Sequence, residues 1–285
     1  MIIYYKKETN LTKYIHSKEK VTIFKEPGFL HTIGFKTIIY PDIYFHTGTV
    51  NSFSKTLIEN SKITIVNSTI LKNKLIEDLT VKKDNIEVIY PAVDVEPFKK
   101  KEVKKPFYEK YNIPNDYKII YFTGKNLKKS GLESFCKIIN NLEMDNFKAV
   151  ISTNIEKELK YLKDVLKQNN LEDKVLIVDY EIFDVADIFV LPTTFKNFSI
   201  NVVKAMANKC ITFVPESNYS VELVDIFSIM RNPNDANTSY KIDMVLRVKD
   251  ELKKIQKENY KIGKKLTLQY QHRRLDRIIE KLKTK

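Results

Sequence analysis

Short, continuous apolar runs alternate with polar or amphipathic stretches along most of this chain. Apolar runs of about four to eight residues predict strands that are buried on both faces, as in a parallel sheet covered by helices. Continuous or largely apolar segments predict strands at residues 1–5, 21–24, 37–40, 62–66, 86–90, 118–122, 147–152, 175–178, 188–191 and 211–214. Turn-rich pieces at residues 41–42 and 45–49 follow the third run.

Helical periodicity fills most of the intervals between the predicted strands. Asn51 or Ser52, and Ser68, are typical N-caps and begin helices that reach to about residues 59 and 79. Further helices are predicted at residues 133–142, 156–169 and 181–186, over the stretch with Val202, Val203, Ala205 and Met206, and from about residue 242 onward with a break at Gly263. Repeated strand–helix–strand units imply right-handed crossovers, so we predict an α/β fold with doubly wound parallel sheets.

Two predicted loops carry polar side chains at the ends of strands. In a doubly wound sheet, the loops at the carboxyl ends of strands form the ligand crevice. The loop from Thr193 to Asn197 follows one strand, and residues 123–132, with Lys125 and Lys129, follow another. Lysines beside a strand–helix turn suit a diphosphate, which needs charge neutralisation and helix N-terminal amides. Solvated loop lysines are the alternative.

One stretch has a distinctive order of residues. It runs Ala-Asp-Ile-Phe-Val-Leu-Pro-Thr over 186–193, Lys-Asn-Phe-Ser over 196–199 and Lys-Ala-Met-Ala over 204–207. This resembles the donor-binding signature of GT-B glycosyltransferases of the large retaining "group 1" family, which has an Asp-rich strand, a Pro-Ser turn, Glu-x-Phe-Gly and Glu-Ala-Met-Ala. The resemblance implies a GT-B-like α/β fold with two Rossmann-like domains, the first abridged, and a helical C-terminal tail.

Two further segments are similar to the same family. Residues 88–94 end a strand with Tyr-Pro-Ala-Val-Asp, where the family closes its first domain with Pro-Asn-Gly-Val-Asp. Gly124 and Lys125 stand where the family has Gly-Arg, and Ser130 stands at its lysine position with Lys129 just before it. The implied parts are an acceptor-side domain at 1–95, a nucleotide-sugar domain at 96–262 and a basic amphipathic helix at 263–285.

Three departures from the family pattern concern the donor. Lys196 and Lys204 replace the family's two glutamates, and an ammonium group cannot accept hydrogen bonds from sugar or ribose hydroxyls. Either the donor is more anionic than usual, with a carboxylate or an extra phosphate, or the site is degenerate. The family's Gly-Gly loop has no counterpart, and the segment between Asp179 and Asp187, where the family contacts the base, is short.

The resemblance implies transfer of a sugar from a nucleotide diphosphate to a glycan or lipid-linked acceptor, with retention and without a metal or other cofactor. Synthesis of cell-surface polysaccharide or lipopolysaccharide is the expected setting, and a non-catalytic GT-B binding or assembly subunit is the alternative. The implied catalytic residues are Lys125, Lys129 and His46. The implied donor-binding residues are Gly124, Lys125, Lys129, Ser130, Lys196, Asn197, Phe198, Ser199, Lys204 and Glu222.

Two of these residues also have ordinary structural explanations. Glu222 suits the start of a helix, where an acidic side chain complements the helix dipole. His46 lies in a predicted turn, where a histidine commonly makes a structural hydrogen bond. Both interpretations stay open at the level of sequence.

The net charge of +13 is concentrated near the C-terminus, because residues 241–285 hold 15 basic and 6 acidic side chains. A basic amphipathic helix packed on the body, attachment to an anionic membrane surface and nucleic-acid binding are three interpretations. No aromatic-basic groove, helix-turn-helix or zinc pattern accompanies the charge, so we expect no nucleic-acid partner.

Cys136 and Cys210 lie in apolar contexts and predict buried thiols in a reducing compartment. The four histidines and two cysteines are too scattered to suggest a metal site. The sequence has neither an apolar run long enough to span a bilayer nor a signal-peptide layout at its start. We therefore expect a cytoplasmic protein, with peripheral attachment at the inner membrane face as an open alternative.

Overall fold

The structure is a computed structural model that describes residues 1–24, 39–94, 96 and 98–283. The chain divides into two compact units. Unit 1 holds Met1–Ala92 together with the chain from Leu268 on, and unit 2 holds Val93–Thr267. Each unit is built around one parallel sheet.

The sheet of unit 1 has its strands in the order β2-β1-β3-β4-β5, and every pair is parallel. Ile3 lies opposite Ile23 on one side and Ile43 on the other. The predicted strands at 1–5, 21–24, 62–66 and 86–90 are confirmed. The strands are β1 (Ile2–Tyr5), β2 (Thr22–Ile23), β3 (Ile43–Phe45), β4 (Ile63–Val66) and β5 (Ile86–Val88).

The third strand differs from its prediction. Residues 37 and 38 of the predicted strand at 37–40 lie outside the described residues, and residues 39 and 40 are irregular. β3 begins directly after the predicted turn piece at 41–42, and its last residue, Phe45, falls within the predicted turn piece at 45–49. Three residues give too short a run to indicate a strand, and β3 forms because it pairs with β1 and β4 on both sides.

Unit 1 contains α1 (Asn10–Lys18), α2 (Ser52–Asn60) and α3 (Thr69–Asp78). The predicted caps are confirmed: Asn51 Oδ1 accepts a hydrogen bond from Ser54 N at 2.8 Å, and Ser68 Oγ accepts one from Leu71 N at 3.1 Å. α1 has no counterpart among the predicted helices. It starts with a reciprocal cap between Thr9 and Thr12, which lacks the Glu or Gln of the usual sequence pattern.

The six strands of unit 2 lie in the order β11-β10-β9-β6-β7-β8, and every pair is parallel. From β6 the chain winds outward to β8, then returns to β9 and winds the other way to β11. The topological switch point is therefore between β6 and β9, which pair directly. The strands are β6 (Lys118–Thr123), β7 (Phe147–Ser152), β8 (Val175–Val178), β9 (Ile188–Val190), β10 (Ile211–Pro215) and β11 (Ile229–Met230).

Right-handed crossovers in opposite directions place helices on both faces of this sheet. α6 contacts α7 and α9, whereas α8 contacts α10. The predicted helices at 133–142, 156–169 and over Val202–Met206 are confirmed. The helices of unit 2 are α4 (Lys100–Lys110), α5 (Leu127–Ser130), α6 (Leu132–Asn140), α7 (Glu156–Gln168), α8 (Ile200–Ala207), α9 (Asn237–Arg247) and α10 (Lys249–Gly263).

The helix predicted at 181–186 is wrong, because residues 183–185 form only a turn. This short segment must run from the end of β8 to the start of β9, past β7 and β6. An extended chain spans about 3.3 Å per residue, but a helix rises only about 1.5 Å. The distance to be covered therefore favours extended chain over a helix.

The C-terminal helix α11 (Leu268–Lys283) belongs to unit 1. Leu275, Ile278 and Ile279 join the apolar core of that unit, which includes Ile3 and Ile15. The helical prediction from about residue 242, with a break at Gly263, is confirmed, since α10 ends at that glycine. A further break at Val248 separates α9 from α10.

Both cysteines are buried free thiols, as predicted. Burial raises the pKa of Cys136 to about 12 and that of Cys210 to about 11. Neither thiol therefore forms a nucleophilic thiolate near neutral pH.

Candidate active site

The loop after β6 is held by two hydrogen bonds at the start of α5. Asn126 Oδ1 accepts one from Lys129 N at 2.8 Å, and Glu158 Oε2 accepts one from Leu127 N at 2.7 Å. Gly124 packs against Ser130, where a Cβ on the glycine would lie 2.1 Å from the hydroxyl oxygen. The first predicted loop is thus a fixed turn in which only glycine fits at position 124.

The loop after β9 lies directly against it. Gly131 has a φ of +96°, and a Cβ there would lie 1.9 Å from the carbonyl oxygen of Pro192. Thr193 Oγ1 donates a hydrogen bond to the carbonyl of Lys129 at 3.1 Å, and Thr194 N donates to the same oxygen at 3.4 Å. The two loops therefore form one continuous surface at the switch point.

A third segment, which follows β10, holds the second loop, after β9, by hydrogen bonds. Asn218 Nδ2 donates to the carbonyls of Phe195 and Asn197, each at 2.8 Å. The carbonyl between them, of Lys196, accepts from Tyr219 N at 2.8 Å. Three successive carbonyls are bound in this way, so the backbone of residues 195–197 is held in one conformation.

Asn218 and Ser220 were not among the predicted site residues. Both are buried, with 1% and 0% of their surface exposed, and Ser220 Oγ accepts from Ser199 N at 2.6 Å. Asn218 Oδ1 also accepts from Ser220 N at 2.9 Å. Polar residues three and five positions after the end of an apolar strand are compatible with such buried hydrogen bonding, but the sequence does not identify the loop that they bind.

Three exposed lysines surround the joined loops: Lys125, Lys129 and Lys196. Lys129 Nζ lies 5.8 Å from the centre of the Phe195 ring. Neither the Lys125 nor the Lys196 ammonium has a hydrogen-bond or ion-pair partner in the part of the chain that the structure describes. The surface at the switch point is thus cationic.

Lys204, on α8, has a different environment. Its Nζ lies 2.7 Å and 2.6 Å from the two carboxylate oxygens of Glu181 and 5.7 Å from the centre of the Phe183 ring. Glu181 belongs to the segment between β8 and β9. The charge of Lys204 is therefore compensated within the protein.

The remaining predicted donor residues of unit 2 occupy the same region. Asn197, Phe198 and Ser199 belong to the second loop, and Glu222 lies half-buried in the short 3-10 turn Tyr219–Leu223, which supports that loop. The structure thus brings together Gly124, Lys125, Lys129, Ser130, Lys196, Asn197, Phe198 and Ser199, with Lys204 and Glu222 on the adjoining elements.

His46 belongs to unit 1 and follows β3. The chain leaves β1 and β3 in opposite directions, so the switch point of this sheet lies between them. A pocket of about 140 Å³ at this place is lined by Tyr4, Lys6, Tyr44 and His46, among others. This histidine therefore also lies where a doubly wound sheet binds ligands.

The imidazole of His46 is 1% exposed. Its Nδ1 lies 2.9 Å from the Tyr44 hydroxyl oxygen, whereas its Nε2 has no hydrogen-bond partner in the described part of the chain. Burial lowers its pKa to about 4, so the ring is neutral at pH 7.

Comparison with known proteins decides the family. The model of the family "Glycosyl transferases group 1" matches residues 103–262, which is more than half of the chain. This chain belongs to the group 1 glycosyl transferases. A search of curated protein sequences finds no significant match.

Solved structures support the fold of this group 1 glycosyl transferase. A glycosyltransferase from Rickettsia africae ESF-5 is 16% identical with a TM-score of 0.72, over 99% of this chain and 76% of that one. HepE of Anabaena, in complex with UDP, is 12% identical with a TM-score of 0.71, over 84% and 72%. WaaG, a glycosyltransferase involved in lipopolysaccharide biosynthesis, is 9% identical with a TM-score of 0.64, over 91% and 80%. The predicted GT-B-like fold, with two Rossmann-like sheets, is confirmed.

Neither a metal-binding cluster nor a membrane-spanning helix is present among the described residues. They contain no group of three or more His, Cys, Asp and Glu side chains that could hold a metal ion. Within the same residues, every helix is too short or too polar to cross a membrane.

Proposed function

We propose that this group 1 glycosyl transferase moves a sugar from a nucleotide diphosphate to a glycan or lipid-linked acceptor, with retention at the anomeric carbon. The proposal is supported chiefly by the contact between the two loops at the switch point of unit 2, where Thr193 binds the carbonyl of Lys129. This contact gathers lysines and backbone turns at the place where doubly wound sheets bind nucleotides.

Lys125 and Lys129 are proposed to bind the diphosphate. Their two ammonium groups match the one negative charge on each phosphate, and they stabilise the charge that develops as the diphosphate leaves the sugar. Departure of the diphosphate gives the anomeric carbon oxocarbenium character. Gly124 and Ser130 let the backbone approach the phosphates, while Asn197, Phe198 and Ser199 line the sugar and Lys204 and Glu222 border the nucleotide.

His46 is proposed as the acceptor-side residue of unit 1. Burial keeps the imidazole of His46 neutral at pH 7. The ring therefore binds a sugar hydroxyl through a hydrogen bond at Nε2, as donor or acceptor, and not through a positive charge. His46 lines a pocket with Tyr44 and Lys6, and its Nε2 has no hydrogen-bond partner among the described residues, which favours this role over a purely structural one.

Similar proteins favour a nucleotide-sugar donor and a cell-surface product. HepE structures include complexes with UDP and with UDP-glucose, and WaaB is a lipopolysaccharide outer core galactosyltransferase. From these relatives we propose an activity in the synthesis of cell-surface polysaccharide or lipopolysaccharide.

The test is titration with UDP-, GDP-, ADP- and CMP-sugars. We expect saturable binding of one class and slow hydrolysis of the bound donor. Lys125→Ala and Lys129→Ala should each weaken binding about tenfold or more, as expected for a lost charge-assisted hydrogen bond. Lys128→Ala removes an exposed lysine from the same turn and should leave affinity unchanged. Absence of binding to every donor would overturn the proposal.

A non-catalytic GT-B binding or assembly subunit is the second candidate. The observation that favours it is the replacement of both signature glutamates by Lys196 and Lys204. This candidate predicts saturable donor binding without hydrolysis and without transfer to any glycan acceptor, whereas the enzyme shows hydrolysis above the rate in buffer.

We further propose a cytoplasmic protein that attaches to the anionic inner membrane face through α11. Arg273 and Arg277 are exposed on that helix, while Lys281 and Lys283 pair with Glu87 and Glu19. Flotation with vesicles of phosphatidylserine and phosphatidylcholine should show salt-sensitive binding that Arg273→Glu with Arg277→Glu removes. Equal binding to pure phosphatidylcholine would contradict attachment by charge.

A further inference from the structure

Lys196 and Lys204, the two lysines that replace the signature glutamates, differ in their electrostatic surroundings. Lys204 is held by both carboxylate oxygens of Glu181, at 2.7 Å and 2.6 Å. Lys196 is exposed, and no described carboxylate lies within ion-pair distance of it. Lys204 therefore has a counter-charge within the protein, whereas the ammonium of Lys196 is available to an anionic ligand.

The backbone that carries Lys196 is unusually well fixed for a loop. Its own carbonyl accepts from Tyr219 N, and the carbonyls on either side accept from the buried side chain of Asn218. Only the lysine side chain has to become ordered when a ligand binds. Preorganisation of this kind reduces the entropic cost of a contact, so the loop is suited to hold a charge in a defined place.

Lys196 also lies beside the proposed diphosphate site. The ammonium of Lys129 is 5.8 Å from the ring centre of Phe195, the residue next to Lys196. A sugar attached to a diphosphate at Lys129 would therefore lie near residues 195–197. With Lys125 and Lys129 assigned to the two phosphates, Lys196 is the exposed lysine of the second loop that is left to bind the sugar.

We propose that Lys196 determines donor specificity by binding a carboxylate on the transferred sugar, so that the donor is a nucleotide-activated uronic acid. This inference rests on the proposed glycosyl transfer. A neutral hydroxymethyl group at the same carbon leaves the ammonium without a counter-charge, whereas a carboxylate accepts its hydrogen bonds directly.

The experiment compares donors that differ only at C6: UDP-glucose with UDP-glucuronate, and GDP-mannose with GDP-mannuronate. Affinities are measured by calorimetry on the full chain. In the pair whose base is bound, we expect the uronate to bind about tenfold more tightly than the neutral sugar. Lys196→Glu should reverse that order, and Lys196→Gln should remove the difference.

The matched control is Lys163→Glu, which makes the same charge reversal on an exposed lysine of α7. It should keep the wild-type preference, because a general change in net charge does not distinguish the two sugars. Equal or tighter binding of the neutral sugar by the wild-type protein overturns this inference and leaves the proposed transfer intact. A preference for uronate that survives Lys196→Glu overturns the role of Lys196. Failure of all four donors to bind overturns this inference, whereas the proposed transfer is overturned only if no donor of the wider UDP-, GDP-, ADP- and CMP-sugar panel binds.

Discussion

The backbone carbonyl of Pro192 lies so close to Gly131 that a Cβ on the glycine would come within 1.9 Å of its oxygen. Gly131 also has a φ of +96°, a backbone angle that residues other than glycine rarely adopt. The loops after β6 and β9 depend on this contact for their joint geometry. A single methyl group added at Gly131 should therefore disturb the geometry of the proposed donor site.

Gly131→Ala should destabilise the protein and impair donor binding together. The left-handed φ alone costs about 1–2 kcal/mol, and the clash adds about 1–3 kcal/mol as the loops move apart. Urea unfolding gives the free energy, and donor titration gives the affinity. Gly48→Ala is the control, because Gly48 has a φ of +91° but nothing within 4 Å of a Cβ. Equal losses for the two variants would contradict a clash at Pro192.

Asn218→Ala should loosen the second loop. It removes the donors of two loop carbonyls and the acceptor of Ser220 N in a buried place, which costs about 1–3 kcal/mol of unfolding free energy. We also expect a weaker donor affinity, since residues 195–197 lose their fixed backbone. Asn169→Ala, which removes a side-chain hydrogen bond at the end of α7, should lower stability without changing affinity. Unchanged affinity in Asn218→Ala would refute the supporting role.

The Glu181–Lys204 pair should show measurable but small coupling. Both side chains are partly exposed, so a double-mutant cycle with Glu181→Gln and Lys204→Met should give about 0.2–1 kcal/mol. The exchanged pair, Glu181→Lys with Lys204→Glu, should recover most of the stability that either single reversal loses. Additive effects of the two single reversals would show that the ion pair contributes nothing in solution.

Acid should destabilise the protein partly through His46. Burial lowers the pKa of His46 from 6.5 to about 4. Between these two pH values the imidazole is therefore protonated in the unfolded chain and neutral in the folded chain. Stability is thus fully present above about pH 6.5 and falls as the pH decreases toward 4, by up to about 3 kcal/mol. Unfolding free energies from pH 7 to 4 should fall less steeply in His46→Gln. Exposed His16, replaced by Gln, controls for the loss of an imidazole.

Lys104→Met should be far more damaging than its position on a surface helix suggests. Lys104 forms a buried ion pair with Asp187, whose Oδ2 also accepts from Ile119 N at 2.9 Å. Removing the ammonium leaves a buried carboxylate without its counter-charge, at a cost of about 3–5 kcal/mol. Lys105→Met, next along the helix and 4.0 Å from Glu109 on the surface, should change stability by less than about 1 kcal/mol. Similar unfolding midpoints for the two variants would contradict this account.

Most strands and several helix starts were predictable because their signals are local. Asn51 and Ser68 cap their helices through residues three positions away, and β9 lies in the uninterrupted apolar run at residues 188–191. β3 was missed because its three residues depend on neighbours in the sheet. The turn at residues 183–185 was predicted as a helix because no local pattern shows how far the chain must travel to reach β9.

The sequence by itself determined the family signature, the alternation of strands and helices and the positions of Lys125, Lys129 and Lys196. Only the tertiary structure decided which lysine has a counter-charge within the protein, because Glu181 reaches Lys204 across 23 positions of chain. The same holds for Asn218, which binds carbonyls 21 and 23 positions away. Such pairs depend on which strands become neighbours, and strand order is a property of the whole sheet rather than of any short stretch of sequence.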